Sequence, residues 1–150
     1  MEVAFRSIAV AIDGSPHAGD ALATAIDLAR RYAASLTVLA IAPVPATFVL
    51  PNEPTPSPVV ESEVPRFRAL VDAAVDEARK GGLAAVSGLC EEGPPVDTIL
   101  ELLRRHPVDL LVVGSRGLST ARRWLLGSVS AGLVNHAPCP VLVVRPVTKP

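Results

Sequence analysis

The chain has 150 residues, a formal net charge of −1 at pH 7, 49% apolar residues and a mean hydropathy of +0.40, enough apolar material for one core in a single domain over 1–150. Its pI near 6.3 and its aromatic complement of three Phe, one Trp and one Tyr argue against nucleic acid as a partner. No apolar run approaches the roughly 20 residues that cross a bilayer and no basic-then-apolar leader opens the chain, so a cytoplasmic protein without membrane contact is expected.

Residues 3–12 read as the first strand. Asp13-Gly14-Ser15-Pro16 follows, with Ser15 as a helix N-cap and Pro16 at the first helical position. Asp13 stands at the strand's carboxyl end, where it can begin a turn, accept hydrogen bonds from a ribose hydroxyl or an adenine amino group, or sit near a metal carried by phosphates. From His17 to Ala34, Ala18, Leu22, Ala25, Ile26, Ala29 and Ala33 share one helical face. A second strand covers 36–41. Between Pro43 and Pro65 the chain carries seven prolines and almost no helical period, which predicts a long connection of restricted flexibility whose residues specify no chemistry.

A second helix is expected over 66–80, stopped by Gly81-Gly82, and a third strand over 84–90. Val96, Ile99, Leu100 and Leu103 mark a third helix, ended by His106-Pro107. The apolar run 109–113 reads as a strand buried on both faces, and 141–145 as the last strand. Cys90 and Cys139 are too few and too isolated for a disulfide framework or a zinc site, so both are expected reduced and buried.

This βα alternation predicts an α/β fold, a doubly wound and mostly parallel sheet with helices on both faces. Ligands of such sheets bind beyond the carboxyl ends of the strands, where strand order reverses. The loops after the first and fourth strands therefore carry the function. After the fourth comes Gly114-Ser115-Arg116-Gly117 and, nine residues on, Gly127-Ser128. Glycines there would permit positive φ and a close approach of backbone amides to phosphate oxygens, and the Ser128 hydroxyl is placed to cap the helix that follows. Arg122-Arg123-Trp124, inside the spacer, reads as a solvated face with Trp124 half-buried.

With Asp13 and this loop in view, nearly the whole chain resembles the universal stress protein family, in its ATP-binding subgroup. The resemblance is carried by Ile8-Ala9-Val10-Ala11-Ile12-Asp13-Gly14-Ser15, by Asp109-Leu110-Leu111-Val112-Val113-Gly114-Ser115-Arg116-Gly117, by Gly127-Ser128-Val129-Ser130 and by His136-Ala137-Pro138-Cys139-Pro140-Val141-Leu142-Val143-Val144. It implies five parallel strands in the order 3-2-1-4-5, the Rossmann-like architecture of adenine nucleotide alpha-hydrolases, with ATP over strands one and four. It further implies Ala11 and Asp13 near adenine and ribose, and Ile41 against the adenine ring. Gly114, Arg116 and Gly117 would line ribose and phosphates, and Gly127, Ser128, Val129 and Ser130 would offer amides and hydroxyls to the phosphate chain. Magnesium or manganese would accompany the nucleotide, its ligands unassigned, and a homodimer would form through the last strand, Pro140 to Arg145. Its implied role is that of a nucleotide-dependent sensor or regulator in stress adaptation. The proline-rich connection departs from the shorter ones of many relatives.

Other readings lack their residues. There is no Gly-Lys-Ser or Gly-Lys-Thr for a Walker loop, no G-x-G-x-x-G after strand one, and no acid clustered with Asp13 for a phospho-receiver. Catalysis needs a base or orienting group in line with the phosphate. His17 lies near the site on an ordinary helix position, whereas His106 and His136 sit at helix ends. No catalytic residue is assigned, and any ATP hydrolysis would be slow. The remaining alternative is a nucleotide-independent dimeric scaffold for protein partners.

Overall fold

Each strand but the last is followed in the chain by a helix that packs back on the sheet. The computed structural model describes residues 3–45, 61–116 and 126–146. In chain order the elements are β1 (Ser7–Ala11), α1 (Pro16–Tyr32), β2 (Ser35–Ala42), α2 (Val64–Lys80), β3 (Val86–Glu92), α3 (Pro95–Arg105), β4 (Leu110–Gly114), α4 (Ser128–His136) and β5 (Val141–Val144). All pairings are parallel and the strand order is β3-β2-β1-β4-β5, as the resemblance implies. The order reverses between β1 and β4, whose register sets Ile8 beside Leu110 and Val10 beside Val112.

Alternation along the central strands splits the interior into two cores. Ile8, Val10, Val38, Ala40 and Val112 point to the face covered by α1 and α2. Ala9, Leu39, Ile41, Leu111 and Val113 point to the face covered by α3 and α4. Every residue of β4 is buried, because that strand is sandwiched between two others and covered on both faces. Among the described residues no helix is long and apolar enough to cross a membrane.

Helix α1 begins as expected, with the Ser15 hydroxyl accepting the Ala18 N–H at 3.2 Å and Pro16 in the first turn. It ends earlier than the apolar pattern suggests. Ala33 turns left-handed (φ 52°, ψ 40°) and the Ala34 N–H returns to the Ala29 carbonyl at 2.9 Å, closing the helix with a six-residue loop usually assigned to glycine.

The first strand is shorter than 3–12. The Asp109 carboxylate accepts the Arg6 and Ser7 amides at 2.8 and 3.0 Å, so a side chain replaces the ladder below Ser7. The third strand lies two residues later than 84–90 and carries Glu91 and Glu92. An edge strand tolerates such charges, and Glu91 meets the Arg105 guanidinium at 2.8 and 3.0 Å. The cysteines are half-buried rather than buried, and unpaired. Partial burial pushes both thiols above their ordinary pKa. The Pro-rich connection from 46 to 60 and Arg122-Arg123-Trp124 lie outside the described residues.

Candidate functional site at the strand-order switch

The carboxyl ends of β1, β2 and β4 and the first turns of α3 and α4 enclose a cavity of about 350 Å³. This is the crevice where a doubly wound sheet binds its ligand. Of the residues singled out in the sequence, Ala11, Asp13, Ile41, Gly114, Arg116, Gly127, Ser128, Val129 and Ser130 all line it, although they come from four separate stretches of chain. Gly117 lies outside the described residues.

The wall has an apolar end and a polar end. Leu39, Ile41, Pro43, Phe67, Pro95 and Ile99 supply the apolar surface. The charged side chains lining it, among the described residues, are Asp13 and Arg116. Asp13 is held in an Asx turn, its Oδ1 accepting the Ser15 N–H at 2.9 Å, so it both begins the turn and faces the cavity. Gly14 makes that turn possible with φ 84°.

At the polar end stands the start of α4. Gly127 is the N-cap, with φ −57° and ψ 156°, and Ser128 is the first helical residue. With Gly127 as the N-cap and Ser128 already helical, the hydroxyl cap expected of Ser128 is not made. The first amide bonded back is that of Ala131, to the Gly127 carbonyl at 2.9 Å. The amides of Ser128, Val129 and Ser130 therefore have no intrahelical acceptor, and the helix dipole adds partial positive charge there. Such an end accepts an anion.

The glycines act differently from the expectation. Neither Gly114 nor Gly127 adopts a positive φ. A Cβ on Gly114 would stand 2.8 Å from the backbone carbon and oxygen of His17, so the glycine lets α1 lie against the end of β4. The Ser130 hydroxyl donates to the Gly114 carbonyl at 2.6 Å, which leaves its amide as the donor it can turn toward a ligand. His17 places its Nδ1 3.2 Å from the Ser115 hydroxyl, and neither residue lines the cavity.

Sequence reasoning missed Leu39, Pro43, Phe67, Pro95 and Ile99 as wall residues. Ile99 was visible as part of an apolar helical face, but that pattern does not separate a residue packed in the core from one at the rim of a cavity. Pro95 could have been suspected from the general rule, since it opens the helix after β3. No cluster of three or more His, Cys, Asp or Glu exists among the described residues.

A parallel sheet in this order with an anion-accepting helix end at its switch point defines the class: a doubly wound α/β protein with a cleft shaped for a ligand both apolar and anionic. The chain belongs to the universal stress protein family, whose model matches residues 4–145. It is 33% identical over 142 residues to a universal stress protein of Staphylococcus haemolyticus, covering 94% of this chain and 85% of that one. Among solved structures it is similar to the universal stress protein UspA from Lactobacillus plantarum, with a TM-score of 0.74 and 26% identity over 96% of this chain and all of the other. It is also similar to a universal stress protein in complex with cAMP, with a TM-score of 0.69 and 29% identity, covering 95% of this chain and 98% of that one.

Proposed function

We propose that this cavity binds an adenine nucleotide, ATP included, and that the protein acts in the cytoplasm as a nucleotide-dependent sensor or regulator in stress adaptation. The observation that carries the reading is that the α4 residues whose amides have no intrahelical acceptor, Ser128, Val129 and Ser130, line the same cavity as the apolar Ile41 and Ile99. A flat base needs the slot, and a phosphate chain needs the amides. Ala11 and Asp13 would meet base and ribose, and Arg116 with Gly127, Ser128, Val129 and Ser130 would meet the phosphates. The cAMP held by the 29%-identical relative supports an adenine nucleotide as the class.

Magnesium or manganese would be held by the phosphates, with Asp13 the carboxylate at hand. The residues supply charge neutralisation and orientation. Among the described residues no side chain at the wall is arranged as a paired acid and base, and any turnover would be slow. The β5 edge, where Leu142 is 36% exposed on the face opposite α4, would pair with a second copy.

The test is mass spectrometry of nucleotide released on denaturing the purified protein, with calorimetric titration of stripped protein by ATP and magnesium. Released adenine nucleotide, or saturable heat, supports the reading. A folded protein with neither leaves the dimeric scaffold as the better account.

A further inference from the structure

Among the described residues the buried polar side chains are three serines, Ser15, Ser115 and Ser130, each 5% exposed. Ser130 lines the cavity, and Ser15 and Ser115 are two residues and one residue beyond the lining residues Asp13 and Gly114. Ser15 caps α1 and supplies the amide of the Asp13 turn, and Ser130 ties α4 to the end of β4. Ser115 is the residue whose purpose the binding reading leaves open.

It is held from three directions. Its N–H donates to the Val144 carbonyl at 2.9 Å, its carbonyl accepts the Gly127 N–H at 2.9 Å, and its hydroxyl pairs with His17 Nδ1 at 3.2 Å. The Gly127 bond joins the two ends of the segment that leaves β4 at Arg116 and returns at the α4 N-cap. Whatever orients the Ser115 peptide thereby orients Gly127, and with it the amides of Ser128 and Val129.

We infer that Ser115, fixed by His17, is a positioning residue that sets the orientation of Gly127 and, through it, of the α4 amides that follow. This rests on the nucleotide reading above. A catalytic serine–histidine pair is not what the geometry describes, because the hydroxyl is buried and neither side chain reaches the cavity wall. The mechanism is orientational. The N–H and carbonyl of Ser115 lie on successive peptide planes, so both can be engaged while the torsions between them still vary, and a buried hydroxyl bonded to a helix-anchored imidazole restricts that freedom. Preorganised amides bind an anion more tightly than amides that must be ordered on binding. Buried Ser115 without His17 would also leave an unpaired hydroxyl, a cost folding normally avoids.

The experiment compares wild type, Ser115→Ala, His17→Leu and His17→Asn, whose side-chain amide can reach the hydroxyl. Calorimetry with ATP and magnesium reads affinity, hydrogen exchange of the Gly127 amide in ligand-free protein reads the hold of Ser115 on Gly127, and thermal melting confirms folding. The expected result is a roughly three- to tenfold loss of affinity for Ser115→Ala and for His17→Leu. Exchange at Gly127 should quicken in the same two variants. His17→Asn should restore most of both, and the double variant Ser115→Ala/His17→Leu should be no worse than either single one. Wild-type binding with both variants unaltered overturns the inference alone, as does His17→Asn failing as fully as His17→Leu. A wild type that binds no ATP overturns the nucleotide reading and this inference with it.

Discussion

Replacing Ser128 by proline separates the role of the α4 amides from the integrity of the helix. Ser128 is the first helical residue, a position where proline is favoured because its missing N–H has no intrahelical acceptor. The residue before a proline must be extended, and Gly127 already sits at φ −57° and ψ 156°. The fold should therefore absorb Ser128→Pro with a change within about 0.5 kcal/mol, and a small gain is possible from the stiffer unfolded chain. Binding should not absorb it. One of the three amides without an intrahelical acceptor is lost, and a hydrogen bond to a charged oxygen contributes about 1.5–3 kcal/mol, a roughly 10- to 150-fold rise in the Kd for ATP. Ser128→Ala keeps the amide and removes the exposed hydroxyl, so it should weaken binding far less. Calorimetric titration with ATP and magnesium, beside thermal melts of all three proteins, decides it. An unchanged Kd in a folded Ser128→Pro protein refutes the assignment of phosphate to these amides, and equal losses in the two variants move the contact to the hydroxyl.

Other consequences are less tied to the ligand. A Cβ on Gly88 in β3 would collide with Val71 Cγ1 of α2, so Gly88→Ala should lose about 1–3 kcal/mol in urea unfolding, and Val71→Ala in the same chain should recover part of that loss. Ala33 pays for a left-handed conformation that glycine adopts freely; Ala33→Gly should raise stability by about 1 kcal/mol, seen as a higher melting temperature, and a fall would refute that account. Leu142→Arg should leave the monomer folded and abolish any dimer built on the β5 edge, measured by sedimentation; an unaltered dimer places the interface elsewhere. Desolvation raises the Cys90 thiol above its ordinary pKa and its neighbour Asp72 adds to this, whereas Arg68 opposes it. The thiolate fraction at neutral pH is thus lower than in a free thiol, and iodoacetamide labelling should be slow there and accelerate only as pH rises past the usual thiol range. Labelling at neutral pH as fast as that of a model peptide would contradict this.

How far the sequence could be read is clearest around the cavity. Asp13 and Gly114 were recognisable because each marks the end of an apolar strand followed by a loop at the switch point, and strand ends in a doubly wound sheet converge on one crevice; Ile41 came from the family resemblance. The identity of the fold followed from the same alternation. Gly114 shows the limit: its glycine was legible, its reason was not. The sequence suggests a backbone bent for a phosphate, whereas the structure shows a steric allowance for His17, nearly a hundred residues away in the chain.

Local regularities set the helix faces, the Ser15 cap, the Pro16 start and the Gly81 stop, since each depends on residues within a turn or two of chain. Strand limits depend on partners. The Asp109 carboxylate truncates β1 from across the sheet, and the edge position of β3 lets Glu91 and Glu92 continue it. The same holds for the serines: their number and spacing were in the sequence, but only the packed structure assigns the Ser130 hydroxyl to Gly114 and that of Ser115 to His17. A hydroxyl has no preferred distant partner until burial removes water, and which group then lies within 3.2 Å is decided by the fold as a whole.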